Sequence, residues 1–447
     1  MKLNLKHIVR TSALCSLAAV SLVACEDEPD KYEVADGTPE VIYVCMPTNK
    51  DSLITSAFTN NRVLLIGNNL RSVTKLFFND QEALLNSSLI TDHTLFVTIP
   101  RALPNHPTDK IYMVNNSGDT TAYPFTVDID APLLASMDCE FVAPGELATI
   151  NGDYLLTYDN FPMSITMPDG KVISEFKSLS QTSVSFIVPE GCTESGPISI
   201  TTKYGTTKST KFEFNDRRGL MADFDGDGDL GSSNGIVPQG WNIAAKAYDE
   251  NGLAGCGRYV QLGDGSTTTD GGWIESFKLP FWAGNWNGDP MSIEPGNAGC
   301  PFCNLIDFTD FANMAVKFEL YIPKSNPWSA GAMQLVFTNA KTAANDSWQD
   351  NKYIQTKNQH EKGLDLCRGL YRPWEQTGSF DTGDKWITVT VPISEFVYNA
   401  DGTKGIVPLS SADDFATFVL WPWDGGVKGT ECTPIFRIDN IRAVPYK

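Results

Sequence analysis

Four tryptophans in the C-terminal half lie among turn-forming residues, where a surface loop is predicted rather than a buried strand. Trp282 and Trp286 lie within Pro-Phe-Trp-Ala-Gly-Asn-Trp-Asn-Gly-Asp-Pro, and Trp348 follows Asn-Asp-Ser. Loops lie on the protein surface and carry much of its function. An exposed indole ring can stack on the apolar C–H face of a sugar, while neighbouring amides and carboxylates bond the hydroxyl groups. The pattern is typical of a carbohydrate-binding surface.

A second group of candidates lies further along the chain. Trp374 follows Tyr371 and Arg372 in Gly-Leu-Tyr-Arg-Pro-Trp-Glu, and Trp423 leaves the end of the strand Phe-Val-Leu-Trp-Pro-Trp. Arginine suits such a site because its planar guanidinium donates several hydrogen bonds and also stacks on rings. Trp386 differs, because it opens the alternating segment Trp-Ile-Thr-Val-Thr-Val and a core position is predicted for it. The predicted glycan-binding residues are Trp282, Trp286, Tyr371, Arg372 and Trp374, together with Trp348 and Trp423.

The densest acidic run, Asp-Phe-Asp-Gly-Asp-Gly-Asp, matches the first half of a calcium-binding loop. Asp223, Asp225 and Asp227 have the spacing at which carboxylates bind Ca²⁺ in such loops. The twelfth position is Asn234 rather than the glutamate that these loops require. Two interpretations stay open, an acidic turn without metal and a structural calcium that is shared with Asp439. No other cofactor is predicted.

The sequence does not contain a recognisable catalytic motif. Glycosidases need two carboxyl groups about 5 to 9.5 Å apart across the scissile bond. Jelly-roll hydrolases often carry them as Glu-x-Asp-x-x-Glu, which this chain lacks. The four histidines, at positions 7, 93, 106 and 360, are too scattered for a triad or a metal site. We predict a non-catalytic protein, and a divergent glycoside hydrolase is an alternative.

Composition and charge narrow the class of ligand. Hydrophobic residues make up 42% of the 447 residues, which is the composition of folded domains. The chain has 54 acidic and 34 basic side chains, a formal net charge of −20. A negative field of this size repels phosphate backbones and other polyanions. Nucleic acid is therefore excluded as a partner, and a neutral ligand fits the charge.

The first 24 residues have the organisation of a secretory signal peptide. Lys2, Lys6 and Arg10 precede an apolar stretch that is too short to span a bilayer permanently. This stretch ends in Leu-Val-Ala-Cys, which resembles the lipobox at which bacterial lipoproteins are cleaved and lipidated. We predict a signal peptide over 1–24 and lipidation of Cys25, which would make the mature chain a lipid-anchored protein.

An acidic linker over 25–37 leads to two segments that repeat each other. Ile-Gly-Asn-Asn-Leu at 66–70 corresponds to Ile-Asn-Gly-Asp-Tyr-Leu at 150–155. Short alternating segments between Gly, Asn and Asp predict strands and turns in both. Three landmarks recur at offsets of 85 to 89 residues, which indicates tandem copies of one domain. We predict immunoglobulin-like sandwiches over 38–128 and 129–216.

The remaining segment, 217–447, differs in composition. All ten tryptophans lie between Trp241 and Trp423, and strand patterns alternate with Gly, Pro, Asn and Asp. One β-sandwich of the jelly-roll type fits the length and the pattern. The predicted fold class is all-β, with two tandem immunoglobulin-like sandwiches followed by a larger jelly-roll-type β-sandwich that binds glycan.

Both repeats resemble IPT/TIG immunoglobulin-like domains, which mostly act as spacers. The lipobox, the acidic run after Cys25, the tandem domains and the Trp-rich sandwich ending in Phe-Arg-Ile-Asp-Asn-Ile-Arg-Ala-Val-Pro-Tyr-Lys together resemble surface glycan-binding proteins of Bacteroidota polysaccharide-utilisation loci. The resemblance implies capture of a β-glucan or a hemicellulose such as xyloglucan. It also implies an outer-membrane transporter complex and a surface endo-hydrolase as partners, and an acidic run that directs export to the outer face of the outer membrane.

An alternative from another class is an adhesin or assembly protein that binds a protein partner through an aromatic patch. Such a protein would bind a defined protein and no polysaccharide. Retention by neutral polysaccharides therefore distinguishes the two hypotheses.

Overall fold

The computed structural model describes residues 36–239, 243–249, 257–272, 274–284, 299–339, 366–425 and 428–446. The predicted signal peptide, Cys25 and the predicted linker as far as residue 35 lie outside these ranges. The chain divides into two compact units, Met1–Ile129 and Asp130–Lys447. Within the described ranges, no helix is long and apolar enough to cross a membrane. The predicted all-β fold is confirmed, because the described elements are strands apart from short 3₁₀ turns and two four-residue α-helices.

The first unit is a β-sandwich. Its strands and 3₁₀ turns are β1 Glu40–Met46, β2 Asn49–Ile54, β3 Ser56–Phe58, β4 Arg62–Asn68, a turn at Leu70–Ser72, β5 Val73–Phe78, β6 Gln81–Ala83, a turn at Ser87–Leu89, β7 Thr94–Thr98, β8 Lys110–Asn115, β9 Thr120–Pro124 and β10 Thr126–Asp128. The two antiparallel sheets have the orders β2-β1-β4-β7 and β6-β5-β8-β9, and β10 pairs with β3 in parallel. Alternate residues such as Ile111 and Met113 of β8 are buried between the sheets, as the period of two predicts.

The second sandwich opens the second unit. Its strands are β11 Leu133–Met137, β12 Leu147–Asp153, β13 Ser164–Thr166, β14 Val172–Ile173, β15 Ser178–Leu179, β16 Ser183–Ile187, β17 Ser199–Thr202 and β18 Gly205–Lys208. They form sheets in the orders β11-β12-β16-β15 and β14-β13-β17-β18. Ile150, Ile165, Val184 and Phe186 are among the fully buried residues of its core.

Equivalent residues of the two repeats have the same backbone function. A Cβ on Gly67 would lie 1.9 Å from the carbonyl oxygen of Glu40, and a Cβ on Gly152 would lie 1.9 Å from that of Leu133. Both glycines therefore permit the close approach of an adjacent strand. Two residues later, Asn69 and Tyr154 both have a left-handed backbone, with φ of 54° and 55°. The offset of 85 residues holds at both positions, which supports the repeat from its geometry.

The third sandwich is larger. Its strands are β19 Leu220–Ala222, β20 Lys246–Tyr248, β21 Tyr259–Leu262, β22 Leu279–Phe281, β23 Met314–Tyr321, β24 Ala332–Thr338, β25 Gly369–Tyr371, β26 Ile387–Pro392, β27 Thr417–Trp423 and β28 Phe436–Pro445. The α-helices are Phe302–Leu305 and Trp374–Thr377, and the 3₁₀ turns are Glu275–Phe277, Phe311–Asn313, Ile393–Glu395 and Ala412–Phe415. One sheet has the order β20-β21-β28-β23-β26, with β19 on β28, and the other has the order β22-β27-β24-β25.

The six-stranded sheet of the third sandwich is buried on both faces along β23. Phe318 and Leu320 pack in the core between the two sheets. Lys317 and Glu319 alternate with them and point to the opposite face, yet both are fully buried. A charged side chain is almost never fully buried unless it is paired. The opposite face must therefore be covered by groups that compensate these charges.

The compensating group comes from the second sandwich. Glu140 lies after β11, is 2% exposed, and approaches Lys317 Nζ at 2.5 Å through Oε1. Arg442 Nη2 lies 2.7 Å from Glu140 Oε2, and its Nη1 lies 2.8 Å from Glu319 Oε2. Burial raises the pKa of Glu319 and lowers that of Lys317, so pairing is required for all four to stay charged. These four residues are called the charge quartet below.

Backbone and ring contacts surround the charge quartet. Thr388 N–H donates to the carbonyl oxygen of Asp138 at 2.7 Å, and Glu140 N–H donates to Thr388 Oγ1 at 2.7 Å. Trp386 packs against the cluster of the second sandwich that contains Phe141, and it is half-exposed. The core position predicted for Trp386 is therefore corrected. The strand it precedes lies at the edge of its sheet, so the ring lies at the junction between the two sandwiches.

Glu140→Gln removes the carboxylate of the second sandwich that contacts both Lys317 and Arg442. Lys317 would then lose its paired carboxylate while Arg442 kept its pair with Glu319, and removing one partner of a buried ion pair costs about 3–5 kcal/mol. We expect the free energy of unfolding of the second unit to fall by about that amount, as measured by urea denaturation of the mature chain.

The matched control is Glu146→Gln, since Glu146 lies in the same sandwich but is exposed. We expect this variant to change the free energy of unfolding by less than about 0.5 kcal/mol. Equal effects of the two substitutions would show that the charge quartet does not hold the junction together.

Candidate functional site

Three neighbouring strands bring several predicted binding residues to one end of the four-stranded sheet, where β25 and β27 end and β24 begins. Ala332, the first residue of β24, is paired with Trp423, the last residue of β27. The next residue of β24, Met333, is paired with Tyr371, the last residue of β25. Arg372 directly follows Tyr371. Antiparallel pairing thus places side chains together that are far apart along the chain.

The indole ring of Trp423 is half-exposed at this end of the sheet. Its ring stacks on that of Trp421, with centroids 4.4 Å apart and planes within 5°. Its Nε1–H donates to the carbonyl oxygen of Gly271 at 3.2 Å. Trp421 is itself buried, so the pair is supported from inside the sandwich. A ring that is held in this way loses little conformational entropy when it binds a ligand.

Arg372 is held by three contacts beside this ring. Its Nη1–H donates to the carbonyl oxygen of Gly425 at 2.8 Å, and its Nε lies 2.8 Å from a carboxylate oxygen of Glu375. Its guanidinium carbon lies 5.3 Å from the ring centre of Tyr398, within the range of a cation–π contact. Since five N–H groups are available on a guanidinium, donors remain for a ligand.

Two carboxyl groups, those of Asp270 and Asp424, also lie at this end of the sheet. Asp270 accepts a hydrogen bond from Gly425 N–H at 3.0 Å. Burial and the nearby negative charge of Asp424 raise the pKa of Asp270 to about 6, against the smaller opposing effects of the Gly425 N–H and of Arg372. A carboxyl group in this state accepts hydrogen bonds when it is ionised and donates one when it is protonated. This end of the sheet therefore combines an apolar ring with both hydrogen-bond donors and hydrogen-bond acceptors.

These residues are called the Trp423 site, which consists of Trp423, Arg372, Tyr398, Asp270 and Asp424. Sequence reasoning found the first two and missed the other three. A signal was present, because Asp-Gly-Gly occurs twice, at 270–272 and at 424–426. Gly271 has a φ of 76°, a left-handed conformation that suits such a turn. The two turns meet because Gly425 N–H bonds to Asp270.

The expectation that Trp374 and Trp282 are exposed is wrong. Trp374 is 3% exposed and its Nε1–H donates to the carbonyl oxygen of Gly331 at 2.9 Å. Trp282 is 7% exposed and belongs to the core of the third sandwich. Direct stacking on a sugar is not available to rings so deeply buried. The helix that Trp374 begins has only four residues, too few for a helical period, so its sequence resembles a loop.

The other predicted aromatic residues are placed as follows. Tyr371 packs with Trp328 and Phe380 at centroid distances of 6.1 and 6.4 Å. Tyr371 therefore supports the site from the core side, and burial raises the pKa of its hydroxyl. Trp286 and Trp348 lie outside the described residues.

The acidic run predicted as a calcium loop forms a turn around an arginine. Asp223 Oδ1 accepts from the backbone N–H of Ser233 at 2.7 Å and of Asp225 at 3.2 Å. Arg258 N–H donates to Asp225 Oδ1 at 2.7 Å, and its guanidinium donates to the carbonyl oxygen of Gly228 at 2.8 Å. Arg258 thus supplies positive charge to the acidic turn.

The remaining predicted calcium ligands differ in exposure. Asp227 is exposed, whereas Asp439 is buried and bonded by Asn440 N–H at 2.7 Å. Burial raises the pKa of Asp439 well above its ordinary value. Among the residues that the structure describes, no three acidic, histidine or cysteine side chains are placed to hold a metal ion. The structural calcium stays a prediction.

Comparison with known proteins adds a family to this geometry. Residues 214–445 match the family model of the surface glycan-binding protein B xyloglucan binding domain. The chain is also similar to the crystal structure of surface glycan-binding protein PbSGBP-B from Prevotella bryantii. The two sequences are 36% identical, the match covers 92% of this chain and 100% of the other, and the TM-score is 0.79.

A curated relative matches a shorter stretch. An IPT/TIG domain-containing protein of Bacteroides ovatus is 23% identical over 146 residues, which are 31% of this chain. The match spans only 29% of that relative's length. Its name contains the domain type that the two repeats resemble.

Asp270→Asn tests the electrostatics of the Trp423 site. The pKa of Asp270 is about 6 in the folded chain and about 3.9 in an unfolded one. The folded state therefore binds the proton more tightly, and this carboxyl group lowers stability as the pH rises from about 4 to about 6. We expect the variant to melt at a higher temperature than the wild type at pH 8, and at the same temperature at pH 4, in scanning calorimetry.

Asp264→Asn is the matched control, because hydrogen bonds from Ser266 lower the pKa of Asp264. Its ionised form stabilises the fold above its unfolded pKa, so this variant should give no gain in melting temperature at pH 8. A gain for Asp270→Asn that is equal at the two pH values would contradict the raised pKa.

Proposed function

Because the chain belongs to the surface glycan-binding protein B family, we propose that it captures a neutral polysaccharide through the Trp423 site. The observation that carries this proposal is the site itself, an aromatic ring fixed by Trp421 and flanked by hydrogen-bonding groups. The site lies within 214–445, the segment that the family model matches. The function assigned to the family is surface glycan binding, and the site supplies the chemistry for it.

In the proposed complex, the indole of Trp423 stacks on the apolar face of one sugar ring. Arg372 donates to hydroxyl oxygens, while Asp270 and Asp424 accept from hydroxyl groups. Hydrogen bonds to a charged partner are stronger than neutral ones, which compensates for desolvation of the hydroxyls. Stacking supplies apolar contact and the polar groups select the orientation of the sugar.

The ligand class follows from the family and from charge. The matching family model is described as a xyloglucan binding domain. With a net charge of −20, this chain disfavours an anionic polymer. We propose a β-linked glucan or hemicellulose as the ligand, with xyloglucan as the first to be tested.

The N-terminal sequence supports a proposal for where in the cell the protein is located. Leu-Val-Ala-Cys25 fits a lipobox, and several acyl chains on one cysteine would anchor the protein at about 0.8 kcal/mol for each buried CH₂. The chain would then be anchored in the outer membrane and exposed at the cell surface. It would hold polysaccharide for an outer-membrane transporter complex, beside a surface endo-hydrolase that shortens the polymer.

One observation favours a second function, glycoside hydrolysis. Asp270 has a raised pKa of about 6 beside a second carboxyl group, Asp424, which resembles an acid and base pair. We nevertheless propose a non-catalytic protein. Asp270 is bonded to the Gly425 backbone and lies near Arg372, contacts that suit a fixed binding group, and the similar Prevotella bryantii protein is named for glycan binding.

Trp423→Ala tests the binding site. Loss of the stacking ring should weaken binding of xyloglucan at least tenfold, because the ring provides the apolar contact of the site. The measurement is affinity electrophoresis in gels with xyloglucan, mixed-linkage β-glucan, β-1,3-glucan, mannan, xylan and starch, followed by calorimetric titration with the polysaccharide that retards the wild type.

Phe161→Ala is the control, since this ring is exposed but belongs to the second sandwich. It should bind as the wild type does. Unchanged affinity in Trp423→Ala would remove the ring from the site, and a wild type that no gel retards would favour the adhesin hypothesis.

Hydrolysis is tested with the same polysaccharides. We expect no release of reducing ends by the wild type during prolonged incubation at pH 5 to pH 7, where Asp270 would be partly protonated. Release that is abolished by Asp424→Asn would establish an enzyme and overturn the non-catalytic proposal.

A further inference from the structure

A row of aromatic side chains crosses the outer face of the six-stranded sheet in the third sandwich. Tyr248 of β20 stacks on Tyr259 of β21, with ring centres 5.9 Å apart and planes within 24°. Trp386, at the opposite edge, lies 5.6 Å from Tyr259 and 5.6 Å from Tyr321 of β23. Tyr248 is 37% exposed and Trp386 is half-exposed. The row therefore reaches solvent at both ends.

An arginine lies inside this row. The guanidinium carbon of Arg437 lies 5.4 Å from the ring centre of Tyr259 and 4.9 Å from that of Tyr321. Its buried Nε has no hydrogen-bond acceptor among the described residues. A guanidinium that is held by rings keeps donors available for an uncharged oxygen ligand.

A groove of about 280 Å³ opens beside Trp386, at the junction of the second and third sandwiches. Its walls include the apolar Phe141, Leu147 and Trp386 and the charged Asp138, Glu146 and Lys385. Apolar side chains alternate there with two carboxylates and one ammonium group. Such a mixture of apolar surface and a few polar groups is typical of small-ligand sites.

The walls of this groove are held in place before any ligand binds. One wall belongs to the second sandwich and the other to the edge of the third. The charge quartet joins them, through Glu140 to Lys317 at 2.5 Å and to Arg442 at 2.7 Å. A preformed groove avoids the free-energy cost of ordering its walls during binding.

The groove and the Trp423 site lie at the same end of the third sandwich. β23 ends at Tyr321, beside Trp386, and the segment 322–331 leads directly to Ala332. Ala332 is the residue paired with Trp423. Trp386 and Trp423 lie on the outer faces of different sheets, because Tyr321 and Ala332 alternate with the core residues Leu320 and Met333. A polymer that contacts both places would therefore cross this end of the domain.

We propose that the junction groove, together with the Tyr248–Tyr259–Arg437–Tyr321–Trp386 row, is a second glycan-contact site for a further stretch of the same polysaccharide chain. This inference rests on the proposed function. Its occupant is a neutral glycan because the two carboxylates, Asp138 and Glu146, outnumber the one ammonium group and repel an anionic polymer. Two contacts on one chain raise the affinity for the polymer without changing that for a short oligosaccharide.

The experiment compares xyloglucan polymer with a xyloglucan oligosaccharide of one repeating unit, each titrated calorimetrically into the full mature chain. Trp386→Ala removes the ring of the groove. Leu147→Arg fills the groove from a side chain that is 50% exposed, so folding is preserved. Leu133→Arg is the matched control, since Leu133 lies in the same sandwich, is 58% exposed and does not line the groove.

We expect Trp386→Ala and Leu147→Arg to weaken binding of the polymer roughly three- to tenfold. Both should bind the oligosaccharide as the wild type does, and Leu133→Arg should change neither affinity. Unchanged polymer affinity in Leu147→Arg and Trp386→Ala, with weakened binding in Trp423→Ala, would overturn the second site and leave the proposed function in place. Failure of the wild type to bind either ligand would instead refute xyloglucan as the ligand, and the second site with it.

Discussion

The charge quartet is the interaction on which the arrangement of the second unit depends. Glu140 and Glu319 face Lys317 and Arg442 in a buried junction, with contacts of 2.5 to 2.8 Å. A buried ion pair gains little over well-packed apolar residues, but an unpaired buried charge is very costly. The junction is therefore specific, because sliding one sandwich over the other would leave charges unpaired. The charge quartet thereby holds the second sandwich against one face of the six-stranded sheet, and the groove beside Trp386 lies between them.

The strands and the repeats could be predicted from the sequence because both have short-range signals. Alternation of apolar and polar residues marks a strand with one buried face, and Gly, Asn and Asp mark the turns. Gly67 and Gly152 are an example. A side chain at either position would clash with the backbone of the adjacent strand, so both copies of the repeat have glycine there. The third sandwich was recognisable from its tryptophans and strand patterns.

The binding residues could be predicted only in part, because exposure depends on tertiary contacts. Trp374 follows a proline in a polar segment, yet its indole N–H bonds to Gly331 within the core. Trp386 begins a strand pattern, yet that strand is at a sheet edge and its ring lies at a domain junction. Asp270 joins the site through the backbone of Gly425, and the two Asp-Gly-Gly strings mark the turns without indicating that the turns meet.

Rigid support and surface chemistry combine in the Trp423 site, where a buried Trp421 orients the exposed ring. The most direct test is a crystal structure of the mature chain with a xyloglucan oligosaccharide. The account predicts a sugar ring stacked on Trp423, with atoms within about 4.5 Å of the indole and hydroxyl groups bonded to Arg372 or Asp270. A glycan bound elsewhere, with Trp423 uncovered, would contradict it.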